Sequence, residues 1–208
     1  MSNRTNENAA STRRTQEERR KEAESRLLDA GLALVAQKGV SGMTLNDVGT
    51  LAGYSRGIVA HHFGSKELFV RALANHVRQR FLDAEQGQSK RPSGVERLIA
   101  SVELYLSKPG EHSRAINAML TEAVLFGGSL QADMTEFTRM TLEFYAAQIR
   151  IGIAAGDVRA DVDPERVAIL ILGMLRGVAM QYLLNPKQVP LKAVREDVVA
   201  AIRLMLRK

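Results

Sequence analysis

The sequence predicts an all-α protein of about nine helices. Apolar residues recur at spacings of three and four along most of the chain, and glycine or proline follows each such stretch. No stretch alternates apolar and polar residues as a half-buried strand does, and no internal repeat is present. The chain has 208 residues, of which 45% are hydrophobic. A chain of this length buries enough surface for a stable core without disulfides.

Four helices are predicted between residues 16 and 86. The first runs from Gln16 to Gly39 and carries an apolar stripe on one face. Three helices follow, each opening at a hydroxyl residue whose side chain accepts a hydrogen bond from the first turn. The expected caps are Thr44, Ser55 and Ser65, and the expected stops are Gly39, Gly53 and Gly64. Residues 1–15 are polar and weakly patterned, so we expect a disordered basic arm there.

A linker over residues 87–94, GQSKRPSG, separates these helices from a second predicted domain over residues 95–208. Five helices are expected in that domain, including a long one from about Leu130 to Ala155 with Gly156 as its C-cap. The run Asp163-Pro164-Glu165 is a strong helix start, because it places a cap, a proline and an acid in order. The last helix opens at Pro190.

The two short helices between residues 44 and 63 indicate a DNA-binding module. Their length, the turn at Gly53 and the Arg, small residues and His of the second helix are typical of a helix-turn-helix. The net charge of +6 fits a polyanionic partner, and residues 1–90 carry +4 of it against +2 in the remainder.

The segment from Arg20 to about Arg80 resembles the N-terminal domain of the tetracycline-repressor (TetR) family of bacterial transcriptional regulators. The resemblance rests on several spaced signals in one order, which are Thr44 to Gly53, Ser55-Arg56-Gly57, His62-Phe63 and Ser65-Lys66-Glu67. Two positions depart from the family pattern. Gly49 stands where the family usually has alanine, and Ala60 stands where it usually has an aromatic residue, commonly a tyrosine that touches phosphate.

The candidate DNA contacts are Thr44, Tyr54, Ser55, Arg56, Gly57, Ala60, His61, His62 and Lys66. Arg56 reads a guanine or pairs with a phosphate, and Gly57 permits close approach to DNA or serves packing. His61 contacts a base or phosphate and, by the resemblance, His62 contacts phosphate; both are alternatively solvated. Thr44 and Lys66 lie at helix N-termini, which favour phosphate.

Two further alternatives concern residues near these contacts. Tyr54 replaces part of the contact missing at Ala60 or packs in the core. Arg13 and Arg14 reach the minor groove as an arm or are simply solvated.

The resemblance also implies a ligand cavity and a homodimer. Candidate cavity residues are Tyr105, Met119, Phe126, Phe137, Met140, Phe144 and Tyr145, each of which is alternatively ordinary core. Glu122 and Arg150 are polar handles for a ligand or plain surface charges. The helices over about 164–184 and 190–206 are expected to pair with their copies, aided by close approach at Gly173, Gly177 and Ala179. Completion of a monomeric core is the alternative for these helices.

The composition narrows the function classes. The chain has no cysteine, so thiol nucleophiles and thiolate metal sites are excluded. Adjacent His61 and His62 point about 100° apart on a helix and cannot share a metal. No cofactor signature and no nucleophile–base motif is present, so we expect no enzyme, metal or cofactor.

Neither the polar N-terminus nor the apolar run Val167–Leu184, which contains Arg176, predicts a membrane segment, so a cytoplasmic protein is expected. Together with the helix-turn-helix signals, the resemblance to the TetR family implies a homodimeric regulator that binds a pseudo-palindromic double-stranded operator and is released by a small apolar or amphipathic ligand. A ligand-dependent activator and a non-specific DNA-binding structural protein are the alternatives.

Overall fold

The structure is a computed structural model, which describes residues 15–55, 57–87, 92–107 and 109–207. The described residues form nine α-helices and no strand, so the all-α prediction is confirmed. The helices are α1 (Gln16–Gly42), α2 (Leu45–Leu51), α3 (Ile58–Phe63), α4 (Lys66–Gly87), α5 (Val95–Tyr105), α6 (Glu111–Phe126), α7 (Gly128–Ala155), α8 (Pro164–Leu184) and α9 (Leu191–Leu206). The predicted arm falls almost wholly outside the described residues, and so do Arg13, Arg14 and Arg56.

Local hydrogen bonds explain where several helices begin and end. The Thr44 hydroxyl accepts from the Asp47 N–H at 3.1 Å, and the Asp163 carboxylate accepts from the Arg166 N–H at 3.0 Å, as the caps predict. Gly39 has φ of 74° and ψ of 172°, so it breaks α1 and leaves a short helical extension to Gly42.

The N-terminal helices do not form a separate core. Leu27 and Val35 of α1 and Phe69 of α4 are buried in one cluster together with Met119 of α6 and Phe137 of α7. A second cluster joins α5 and α7 to α8 and α9. The apolar packing therefore continues through α6 and α7 across the predicted division at residues 87–94, and the division itself stays a prediction.

One predicted cap is wrong. Ser55 does not cap α3, because that helix begins at Ile58 with Gly57 as its N-cap and no side-chain cap bond. The Ile58 N–H instead donates to the backbone carbonyl of Ser55 at 3.1 Å, so Ser55 belongs to the turn that precedes the helix. Ser65, in contrast, does accept from the Leu68 N–H at 3.2 Å at the start of α4.

Helix α8 is less buried in the single chain than its apolar sequence predicts. It is long and apolar enough to cross a membrane by composition, and only 28% of that window is buried. The exposed side includes Gly173 and Gly177, where an added Cβ would meet nothing within 4 Å. Ala179 does not share that side, because it is fully buried in the protomer core. The expectation that Ala179 aids close approach of a second helix is therefore wrong.

Candidate DNA interface and ligand cavity

A tight turn joins α2 to α3, which is the candidate recognition helix of the helix-turn-helix. The Tyr54 N–H donates to the Gly49 carbonyl at 2.9 Å, and Gly53 has a left-handed φ of 78°. Gly49 is itself buried, and a Cβ added there would lie 3.0 Å from the Ser55 carbonyl oxygen. The glycine in place of the family's alanine is thus matched to a close approach of the following turn.

An edge-to-face pair of aromatic rings packs α3 against α4. The rings of Phe63 and Phe69 meet edge to face with centroids 4.9 Å apart. Val59 is fully buried on the same side of α3. This packing leaves the opposite side of the helix free, where Ala60 and His61 are exposed.

The described candidate DNA contacts lie at the starts of α2 and α4, in the turn before α3 and along α3. Thr44, Ser55, Gly57, Ala60 and His61 are exposed. Tyr54, His62 and Lys66 are half-buried, and Tyr54 packs against the N-terminal core, in line with its alternative role. The placement is what a DNA interface requires, and the contacts themselves stay predictions.

The two histidines do not form a metal site with their surroundings. Their ring planes are 84° apart with centroids at 5.8 Å, and the described residues contain no group of three or more His, Asp or Glu suited to a metal ion. His62 stacks obliquely toward Phe63. The helix therefore presents two differently directed imidazoles.

Lys66 has a partner within the protein that the sequence did not reveal. Its Nζ donates to the Ser41 carbonyl at 2.9 Å, at the end of α1. The same residue, Ser41, donates through its N–H (3.0 Å) and its hydroxyl (2.6 Å) to the carboxylate of Glu122 on α6. Glu122 also accepts from the Val40 N–H at 2.5 Å. These bonds connect the helix-turn-helix region to α6. Because the Glu122 carboxylate is engaged in them, and because Glu122 does not line the cavity between α4 and α8, it does not serve as a polar group for a ligand there.

A small cavity lies between α4, α5, α6, α7 and α8. Its volume is about 90 Å³. The residues that line it are Phe81, Ala84, Glu85, Ser101, Leu104, Tyr105, Ile116, Phe137, Thr141, Tyr145, Leu172 and Arg176. Three of the candidate ligand contacts, Tyr105, Phe137 and Tyr145, line this cavity, and their contact with a ligand stays a prediction.

Four of the seven aromatic and methionine candidates do not line the cavity. Phe126 is 74% exposed at the last residue of α6, where no other helix covers it. Met119 is fully buried in the N-terminal core cluster, and Met140 is half-buried outside the lining. Phe144 lies outside the lining and meets the lining residue Phe81 edge to face, with ring centroids 6.0 Å apart.

Arg150 also lies elsewhere. Its guanidinium pairs with Glu143 at 3.0 Å and with Glu165, on the exposed surface of α7 and α8. The reading of Arg150 as a surface charge fits this position, and a role in the cavity does not.

The polar groups of the cavity wall include the side chains of Glu85, Ser101 and Arg176. The Ser101 hydroxyl donates to Glu85 Oε1 at 2.6 Å, and Arg176 donates to the Thr138 hydroxyl at 2.9 Å. Burial raises the pKa of the Glu85 carboxyl and lowers that of the Arg176 guanidinium, because both charged forms lose hydration. Sequence reasoning missed Glu85, although its position four residues after Phe81 places both on one side of α4.

Comparison with known proteins identifies the family. Residues 27–73 match the family model for the bacterial regulatory proteins of the tetR family, and residues 94–207 match that for the C-terminal part of BetI-type transcriptional repressors. The second match alone spans more than half of the chain. The chain belongs to the TetR family.

Similar proteins extend over nearly the whole chain. The transcriptional regulator AcrR of Shigella flexneri is 26% identical over 91% of this chain and 91% of its own. The regulator BetI of Brucella anthropi is 26% identical over 86% of this chain and 92% of its own. A crystal structure of a regulator from Saccharomonospora viridis in complex with choline covers 90% of this chain and 99% of its own, with a TM-score of 0.80 at 21% identity.

As a TetR-family member the protein is a DNA-binding transcriptional regulator with a helix-turn-helix domain and a helical C-terminal domain. The family consists of regulatory DNA-binding proteins rather than enzymes, and its members form dimers and bind small-molecule effectors.

Proposed function

We propose that this protein is a cytoplasmic homodimeric repressor that a small apolar or amphipathic ligand releases from a pseudo-palindromic operator. The observation that carries the proposal is the position of α4. This helix begins three residues after the recognition helix, and further along it supplies Phe81, Ala84 and Glu85 to the cavity wall. A change in the cavity therefore acts on the same rigid element that follows the DNA-reading helix.

The small size of the cavity indicates how ligand binding would move α4. Its 90 Å³ is smaller than the roughly 150 Å³ of an apolar cavity that holds benzene, and drug-sized ligands occupy sites of about 300–1,000 Å³. A larger ligand must therefore displace a wall. Because the ligand then binds the expanded state better than the state described here, it shifts the population between two arrangements of α4.

The exposed side of α8 supports the dimer. Ile169 and Leu170 are 57% and 56% exposed, and Leu184 is 78% exposed, on a helix of a soluble chain. Gly173 and Gly177 lie along the same helix with open space above them. On α9, Leu204 is 73% exposed. A second copy that covers these residues removes their apolar side chains from water.

A dimer presents two copies of the DNA-contacting residues to one operator. Two recognition helices related by a two-fold axis read two half-sites about 34 Å apart, so the operator is expected to be pseudo-palindromic. In this proposal Arg56 and His61 contact a base or phosphate, and Thr44, His62 and Lys66 contact the DNA backbone. The family description of the C-terminal region names a repressor, which favours repression over ligand-dependent activation.

Distances between spin labels on the two protomers, measured by pulsed electron–electron double resonance, test the proposal directly. The chain has no cysteine, so Thr50→Cys on exposed α2 gives one label per protomer. A dimer gives an intersubunit distance that narrows when operator DNA is added. A monomer by light scattering, or a distance distribution that operator DNA does not change, would contradict the proposal. Lys192 is exposed on α9, far along the chain from the helix-turn-helix, so Lys192→Cys supplies a control position for the label.

A further inference from the structure

The cavity contains a buried carboxylate with an unmet bonding capacity. Glu85 is only 6% exposed, and its Oε1 accepts from Ser101 at 2.6 Å. Its Oε2 is buried and has no hydrogen-bond partner among the described residues. A buried acceptor without a donor costs free energy, more so when it is charged. A ligand that supplies a donor at this point recovers that cost.

The nearest cation does not neutralise this carboxylate by direct contact. Arg97 donates to the backbone carbonyl of Glu85 at 2.6 Å, and its guanidinium lies over the Phe144 ring at 5.9 Å from the centroid. Arg176, the other cation at the cavity, donates to Thr138. Among the described residues, the carboxylate thus accepts a side-chain hydrogen bond only from the neutral hydroxyl of Ser101.

The aromatic residues of the lining favour the hydrocarbon part of an organic cation. Four aromatic residues border the cavity, namely Phe81, Tyr105, Phe137 and Tyr145. Aromatic rings attract a desolvated cation through their π faces, and they also pack against methylene groups. An anion is disfavoured near Glu85 by charge repulsion, and a neutral alcohol gains a hydrogen bond there without the charge attraction.

We propose that the cavity takes a small protonated amine, with its N–H groups directed at Glu85 and its hydrocarbon part packed among the aromatic rings. This proposal rests on the ligand-released repressor function set out above and adds the chemical class of the ligand. The need for an N–H donor separates a protonated amine from a quaternary ammonium ion, which brings charge without a donor on nitrogen.

Four simple probes separate charge, donor and shape. Isothermal titration at neutral pH compares n-butylammonium with its isomer tetramethylammonium, with neutral 1-butanol and with butanoate. The cavity is expected to bind n-butylammonium at least about tenfold more tightly than the other three, since a hydrogen bond to a charged group is worth about that factor or more. Equal or tighter binding of tetramethylammonium, 1-butanol or butanoate, or no binding of n-butylammonium at millimolar concentration, would overturn the proposal.

Two variants locate the effect. Glu85→Gln keeps the shape of the side chain and removes its charge, so n-butylammonium is expected to bind at least about tenfold more weakly. Ser101→Ala keeps the carboxylate and is expected to retain the preference for the amine. Unchanged amine affinity in Glu85→Gln would contradict the assignment. Melting curves establish whether each variant folds, and the isomer comparison on the unaltered protein decides the question if Glu85→Gln does not.

Operator binding separates this proposal from the function on which it rests. Affinity for selected operator DNA is measured on the same protein without any amine. A protein that binds its operator as a dimer but shows no preference for n-butylammonium refutes only the ligand class. A protein that binds n-butylammonium through Glu85 but holds its operator equally well with and without it refutes the release step and leaves the site in place.

Discussion

The carboxylate of Glu122 on α6 accepts hydrogen bonds from both the backbone N–H and the hydroxyl of Ser41, at 3.0 Å and 2.6 Å. Ser41 lies just after the break in α1 at Gly39, and its carbonyl accepts from Lys66 at the start of α4. One residue thus joins three helices. Because α6 also borders the cavity through Ile116, the contact gives a second connection between cavity and DNA interface.

Replacing Glu122 by Gln is expected to weaken this connection. The variant keeps the side-chain shape but loses the charge that strengthens three or more hydrogen bonds, so the protein should lose about 1–3 kcal/mol of unfolding free energy. Operator affinity should fall as well, because the start of α4 is less firmly held. Denaturant unfolding and fluorescence anisotropy on operator DNA measure the two effects. Glu136→Gln is the control, since Glu136 is part of an exposed i,i+3 pair with Arg139 worth little. Identical behaviour of the two variants would show that the Ser41 contact has no such role.

Gly31 is expected to be irreplaceable by alanine for a packing reason. A Cβ added there would lie 2.6 Å from Phe69 Cζ and 2.9 Å from Leu73 Cδ2, and Phe69 supports the recognition helix through Phe63. We expect Gly31→Ala to destabilise the fold by about 1–3 kcal/mol despite the better helix propensity of alanine. Thermal unfolding measures this. Gly87→Ala, where the added Cβ meets nothing within 4 Å, should be neutral or slightly stabilising. A stable Gly31→Ala protein would mean that Phe69 has room to move.

Introducing a charged side chain on the exposed side of α8 tests whether that side forms the dimer interface. Leu170→Lys places an ammonium on the exposed apolar side of that helix and should give a monomer by light scattering at micromolar concentration, because a charge is costly to bury in an interface. Leu68→Lys on α4 makes the same change at a residue of similar exposure, 53%, and should remain dimeric. Dimers of equal stability in both variants would place the interface elsewhere.

Tyrosine at position 60 tests how the recognition helix docks. Ala60 is exposed on α3, next to the buried Val59. If the helix lies on DNA as the family resemblance implies, Ala60→Tyr should tighten binding to operator and random DNA by a similar factor, since phosphate contacts carry no sequence information. Competition titrations with both DNAs measure the two affinities. No change in either affinity would show a different docking.

His112 predicts a loss of stability in acid. Burial, with smaller contributions from Arg80 and His76, lowers the pKa of its imidazole from the usual 6.5 to about 4. The unfolded chain therefore binds a proton that the folded protein does not, so unfolding free energy should fall as pH drops from about 6.5 toward 4. His112→Gln should show a shallower fall, while exposed His61→Gln should keep it. The raised pKa of Glu85 acts in the opposite direction and would flatten the slope in all three proteins alike.

Elements set by local chemistry could be predicted from the sequence. The caps at Thr44 and Asp163 and the stops at Gly39, Gly53 and Gly156 depend on neighbours within a few residues, and the structure has them as expected. Ser55 failed as a cap because the turn after Gly53 continues for two more residues, through a backbone bond from Ile58 to Ser55.

Contacts between distant residues could not be predicted in this way. Glu122 and Ser41 are 81 positions apart, so their bond depends on how α1 crosses α6. The same reason explains the mixed outcome in the cavity. Tyr145 faces it, whereas Phe126 lies exposed at a helix end, and helical periodicity alone does not distinguish the two positions.

Footprinting of the purified protein on DNA upstream of its own and neighbouring genes, in excess random competitor and followed by a genome-wide selection, tests the central claim most directly. The account predicts protection of a pseudo-palindrome whose two half-sites lie about one helical turn apart, with two chains bound. Protection that random DNA removes equally at every upstream and selected sequence would contradict it and would leave a non-specific DNA-binding protein.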